Sequence, residues 1–340
     1  MRSTLAALVG AACLAAGLAG CSPPVPSTPP SGVASASGIA SESVTINPGT
    51  DWALGGTLTL PTGPPPYPAV VLVQGSGPSD RDETIYQNRP FADIADALTA
   101  RGIAVLRYDK RTYAYSKQMA ADVAGITVEE ETIQDAIAAA GLLRADARID
   151  AGRVFVLGHS LGGMLAPRID AEGGSFAGLI ILAGSPRPLS DILIDQVTAQ
   201  VAYLTGVQKV IGQKQLDALV ASLASLETMS DDVARQVTIS GASGYYFREM
   251  NEHPASDYLA GLTKPVLILQ GDADFQISVT KDFGAYQSLL AGRSNVTFTL
   301  YPGLNHLFMT STTGTADEYK TPGHVDAAVL RDIADWILAR

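Results

Sequence analysis

Apolar residues in this chain gather in short runs separated by helical stretches, from about residue 42 onward. Residues 69–74, 103–107, 154–157, 179–183, 266–270 and 296–300 are such runs, built mainly from Val, Leu, Ile and Ala. Runs of this length without strict alternation predict strands covered on both faces, the signature of a parallel sheet. Residues 43–47 and 56–61 look like an antiparallel pair ahead of them. Residues 91–101 and 129–144 carry helical spacing, and 325–339 reads as a C-terminal helix. Strands alternating with helices predict an α/β domain over 42–340, with a mostly parallel eight-stranded sheet flanked by helices.

The alternation breaks between residues 185 and 262. Helical runs at 189–204 and 213–226 occupy this stretch, and no strand pattern is recognisable. An all-helical insertion at about 186–262, between two sheet strands, is placed to lie as a cap over a site at the strand ends.

The first forty residues follow a different rule. Residues 22–41 are almost only Ser, Pro, Gly and Ala with a few Val and Ile, a composition that cannot bury a core and reads as a linker. Before it, Arg2 precedes an apolar run at 5–18 that is short for a membrane span. That run ends in Leu18-Ala19-Gly20-Cys21, which resembles the lipobox of bacterial lipoproteins. The resemblance implies a signal peptide over 1–20 and a diacylglyceryl group on Cys21. The folded domain would then be exported and held to a cell-envelope membrane by its N-terminal lipid. Cys13 and Cys21 are the two cysteines of the chain, so no disulfide is expected in the folded body. With 23 Lys and Arg against 34 Asp and Glu, the net charge of −11 and the lack of a basic stripe disfavour nucleic acid as a partner.

Candidate chemistry sits directly after the run at 154–157. Gly158-His159-Ser160-Leu161-Gly162 is Gly-x-Ser-x-Gly between a strand and a helix-compatible stretch, the nucleophile elbow of the α/β-hydrolases. The turn is so tight that a side chain at either flanking glycine would meet returning backbone. A serine hydroxyl needs a base and an orienting acid, in the chain order Ser, acid, His. Of four histidines, His159 adjoins the serine and should point elsewhere, and His253 precedes every strand-end acid after the insertion. His306 follows the last strand, where a base can reach over the sheet edge. His324, at the entry to the final helix, suits a capping or surface role. The acid should follow the strand at 266–270, where Asp272 and Asp274 are both candidates. Oxyanion donors are expected from the Leu161 N–H and from the small-residue loop Gly75-Ser76-Gly77-Pro78, at the Ser76 N–H. No His-Glu-x-x-His or comparable ligand set points to a metal, and no cofactor is implied.

Several segments together resemble the EstD-like bacterial carboxylesterases over roughly residues 42–340. They are Gln74 through Glu83 (Gly-Ser-Gly-Pro-x-Asp-Arg-Asp-Glu after Gln74), Arg107 through Arg111, Gly158 through Met164, Leu269 through Asp274, and the tail from Leu304 to His324. The resemblance favours Asp274 as the acid, three residues after Gly271, and leaves Asp272 a turn role. Gln74 departs from the family, where His usually stands, which should change loop packing more than chemistry. Arg81, Asp82 and Glu83 would brace this loop, with Lys110 or Arg111 as ion-pair partners, or form a solvated tip. The function implied is a serine carboxylesterase acting on small, uncharged, short-chain esters through an acyl-enzyme. Peptidase, thioesterase or acyltransferase chemistry would use the same triad, and a non-catalytic ligand-binding lipoprotein is the reading of another class. Ser278-Val279-Thr280-Lys281 matches the Ser-x-x-Lys of penicillin-interacting enzymes, but the companion motifs fail and Ser278 suits a helix N-cap. The sequence sets no oligomeric state.

Overall fold

The computed structural model describes residues 40–340. The apolar N-terminal run, Cys21 and the linker up to residue 39 lie outside the described residues. The strands in chain order are β1 (Ala40–Ile46), β2 (Leu54–Leu60), β3 (Tyr67–Val73), β4 (Ala104–Tyr108), β5 (Ile149–His159), β6 (Leu179–Leu182), β7 (Thr238–Ile239), β8 (Ala242–Ser243), β9 (Val266–Gly271) and β10 (Val296–Tyr301). Eight of them form one sheet in the order β1-β2-β4-β3-β5-β6-β9-β10. The β1–β2 and β2–β4 pairs are antiparallel, and every other neighbour pair is parallel. This is the α/β-hydrolase arrangement that the apolar runs predict. β1 starts two residues inside the stretch read as linker, because Ala40 already pairs with Leu60.

Side chains leave the central strands on both faces and are buried on both. On β3, Val71 and Val73 belong to one core and Val70 and Leu72 to the other. The first core is closed by the helices Gln134–Ala145 and Leu161–Ile169, the second by Pro90–Ala100 and Ala327–Leu338. β10 lies at the sheet edge and is mostly half-exposed, with Tyr301 its one buried residue.

The stretch read as a single helix over 129–144 enters through one wide π turn, Glu129–Ile133, before regular helix begins at Gln134. Such turns insert an extra residue and re-aim side chains. Here Glu131 is turned into the protein and is 4% exposed.

Between β6 and β9 the chain forms the helices Leu189–Tyr203, Gly206–Ser225, Asp231–Gln236, Gly244–Glu252 and Ala255–Ala260. The first four share a small core around Leu193, Leu223, Leu226 and Phe247, while Ala255 and Leu259 of the fifth join the main core. The expectation of an all-helical insertion needs one correction, because β7 and β8 pair as a two-residue ribbon. Ser240 and Gly241 both have positive φ (49° and 92°), the geometry of a tight hairpin turn. Two residues per strand are too few to show a period-2 pattern in sequence.

Candidate active site

β5 ends at His159, the helix Leu161–Ile169 begins at once, and Ser160 is the single residue between them. Its φ of 54° and ψ of −117° are strained for a side-chain-bearing residue. Two glycines make the turn possible. A Cβ on Gly158 would lie 2.1 Å from the Gly162 carbonyl oxygen, and one on Gly162 would lie 2.3 Å from the Val73 carbonyl oxygen. The Ser160 N–H is anchored on the Leu182 carbonyl at 2.9 Å, which fixes the turn to β6. Leu161 opens the helix, so its N–H belongs to the first turn, which has no partner within the helix and presents its donors forward.

The loop after β3 passes directly beside the serine. A Cβ on Gly75 would stand 3.2 Å from the Ser160 Cβ, so a side chain there would press on the serine and glycine keeps the approach unstrained. The Gly75 N–H donates to Glu83 Oε1 at 2.7 Å and is thereby committed. Ser76 follows and lines the same cavity as Ser160 and Leu161. Gln74 is buried and donates to the Tyr108 carbonyl at 2.5 Å, a packing role in keeping with its departure from the family pattern.

Of the two candidate acids, Asp274 is the one hydrogen-bonded to His306, Oδ2 to Nδ1 at 2.8 Å. Its other oxygen accepts the N–H groups of Gln276 and Ile277 at 2.7 and 3.0 Å. Burial opposes charge on this carboxylate, but the His306 ring and these N–H donors outweigh it and hold it below the usual aspartate range. Since a carboxylate accepts, His306 Nδ1 carries the proton and Nε2 is left as the basic atom. Asp272 turns away and accepts the Gly303 N–H at 2.6 Å, as a turn residue should.

The remaining histidines sort themselves by environment. His324 is exposed on the surface and paired with Asp93 at 3.0 Å, while Asp326, not His324, caps the last helix. His253 bonds Tyr258 at 2.8 Å within the insertion. His159 does point away from the cavity, but into a role that sequence reasoning missed. Its Nδ1 faces Glu83 Oε1 at 3.0 Å and its Nε2 faces the His306 carbonyl oxygen at 2.9 Å. Both partners are acceptors, so the ring holds a proton on each nitrogen. Burial alone would depress its pKa; the charge and hydrogen bond of Glu83, with the His306 carbonyl, raise it instead.

The acidic-basic cluster beside the loop is structural, with partners other than those expected. Arg81 grips Asp109 at 2.6 Å, Asp82 lies 3.3 Å from Arg107, and Glu83 takes His159 and Gly75. Lys110 pairs with Glu131 and Arg111 with Asp135. The two cations expected to pair with residues 81–83 are taken instead by carboxylates of the π turn and of the helix that follows it. Ser278 caps its own turn, accepting the Lys281 N–H at 3.2 Å, so the Ser-x-x-Lys match is a capping feature.

A cavity of about 440 Å³, counting its open mouth, lies over Ser160. Ser76, Leu161, Met164, Ser185 and Ile277 form its floor and sides, and Leu189, Ile192, Leu193 and Gln196 cover it from the insertion. Among the described residues no charged side chain lines it. The first helix of the insertion, Leu189–Tyr203, thus shares this cavity with the serine.

A strained serine at the end of the central parallel strand, below a helical cap, makes this an α/β-hydrolase. The chain belongs to the serine aminopeptidase S33 family, whose model matches residues 87–312. It is 38% identical over 296 residues to esterase EstD of Thermotoga maritima, a match covering 87% of this chain and 66% of that protein. Among solved structures, Est1E from Butyrivibrio proteoclasticus is similar in fold, with a TM-score of 0.54 at 17% identity over 87% of this chain and 98% of that one. A Mycobacterium tuberculosis puromycin-hydrolysing peptidase has a TM-score of 0.55 at 17% identity, covering 89% of this chain and 39% of that one.

Proposed function

We propose that this protein is a serine carboxylesterase that hydrolyses small, uncharged esters with short acyl chains. The observation that carries the reading is the cavity itself: a mainly apolar, partly open space over Ser160, with hydroxyls and one amide as its polar side-chain groups. The 38% identity to an esterase supports the reaction class. The family model is named for aminopeptidases, but a free α-amino group calls for a carboxylate beside it, and none lines this cavity among the described residues.

In this reading Ser160 Oγ attacks the ester carbonyl while His306 Nε2 takes its proton. Asp274 holds the resulting imidazolium. The carbonyl oxygen, now an anion, is met by the N–H groups of Leu161 and Ser76. His306 returns the proton to the departing alkoxide, leaving an acyl group on Ser160. A water then gives its proton to His306 and attacks the acyl carbon; as the acyl C–Oγ bond breaks, His306 returns that proton to Ser160 Oγ, and the acid leaves. Leu189, Ile192 and Leu193 line the space available to the acyl chain, so its length is limited by volume. The test is kcat/KM for acetyl, butyryl and palmitoyl esters of one alcohol beside the matching aminoacyl amides. Preference for acetyl or butyryl is expected. Preference for palmitoyl or for the amides would overturn the reading.

We further propose that Cys21 carries a lipid that tethers the domain to an envelope membrane. What supports this is Leu18-Ala19-Gly20-Cys21 at the end of an apolar run, followed by a Ser- and Pro-rich linker.

A further inference from the structure

We propose that Lys110 is a positioning residue that sets the Ser76 oxyanion donor by holding the carbonyl of the same peptide group. The inference rests on the esterase reading above. Lys110 is 2% exposed, and its ammonium donates to the Gly75 carbonyl oxygen at 2.7 Å. That carbonyl and the Ser76 N–H belong to one planar trans peptide and point in opposite directions. Fixing the oxygen on Lys110 therefore fixes the direction of the N–H. An ammonium on the oxygen also polarises the peptide and strengthens its N–H as a donor.

The neighbouring peptide is pinned the same way. The Gly75 N–H is held by Glu83, which is held by His159. Two successive peptides of the oxyanion loop are thus each fastened by a buried charge. The Lys110 backbone adds a third hold, donating to the Ser79 carbonyl at 3.0 Å.

Lys110 is itself fixed from behind. Glu131 Oε1 accepts from its ammonium at 2.5 Å, and Glu131 Oε2 accepts from the Tyr246 hydroxyl at 2.6 Å. The π turn places Glu131 here, and Tyr246 belongs to the cap helix Gly244–Glu252. The chain Tyr246–Glu131–Lys110–Gly75 therefore connects the cap to the oxyanion donor. A buried ion pair of this kind contributes little net stability compared with apolar residues of the same size. Its value lies in geometry at the loop it holds.

The test compares wild type with Lys110→Met and with the double variant Lys110→Met/Glu131→Gln, which leaves no orphan buried charge. Thermal melts establish folding, and the double variant is read by the same criteria if the single one does not fold. A short-chain ester gives kcat and KM, and a trifluoromethyl ketone, which forms an oxyanion on the serine, gives Ki. The expected result is a fall in kcat of roughly 10–100-fold with KM within about threefold. Ki should rise by the same factor as kcat/KM falls, a correlation that general loosening would not produce. A kcat within about threefold of wild type, or a fall in kcat with Ki unchanged, would overturn the role of Lys110. The esterase reading fails separately, if wild type does not hydrolyse the ester or if Ser160→Ala hydrolyses it equally well.

Discussion

His159 and His306 are joined by a hydrogen bond from one ring to the other residue's backbone: His159 Nε2 donates to the His306 carbonyl oxygen at 2.9 Å. The two rings lie 4.7 Å apart at an angle of 48°. The residue beside Ser160 thus braces the loop that carries His306, while Glu83 ties the same ring to the Gly75 loop. Three segments far apart in sequence meet at one imidazolium.

That imidazolium predicts a pH dependence of stability. The folded pKa of His159 is raised above the unfolded value of about 6.5, because Glu83 favours the charged ring. The contribution is therefore fully present below about pH 6.5 and lost as pH rises through the folded value. The melting temperature of wild type minus that of His159→Gln should shrink from about pH 6 to about pH 9. A difference that is flat or grows over this range would contradict a charged His159.

The elbow glycines give a paired prediction. Gly162→Ala places a methyl group against the Val73 and Gln74 carbonyl oxygens at 2.3 and 2.7 Å, and backbone cannot yield there. It should cost about 3 kcal/mol of stability. Gly141→Ala, in the helix Gln134–Ala145, meets nothing within 4 Å and should stabilise by about 0.5–1 kcal/mol. Denaturant unfolding of both variants checks the sign of each.

Much of this arrangement was legible in the chain. The sheet strands were readable because buried parallel strands leave unbroken apolar runs, and β3 and β9 match theirs to within two residues at each end. Ser160 was readable because its turn imposes glycine on both sides. His306 followed from its place after the last sheet strand, while choosing Asp274 over Asp272 needed the family resemblance. The Glu83–His159 and Lys110–Glu131 pairs were not readable. Their members are 76 and 21 residues apart, and only the strand order decides which buried charges meet. The β7–β8 ribbon escaped because its signal is a Ser240-Gly241 turn between strands of two residues.

The proposed N-terminal tether predicts a separation of location from activity. Cys21→Ser should release the protein from the membrane fraction while kcat and KM stay at wild-type values. Mass spectrometry of the mature N-terminus checks it; an unmodified terminus at another residue would contradict the lipid anchor.

The central claim is that Ser160 is the nucleophile, and a fluorophosphonate measures it most directly. Wild type should take up one equivalent on Ser160, located by mass spectrometry, and lose ester hydrolysis in proportion. Ser160→Ala should take up none, melt as wild type does within a few degrees, and lose roughly 10⁴–10⁶ in kcat. Near wild-type turnover by Ser160→Ala, or stoichiometric labelling at another residue, would contradict the account.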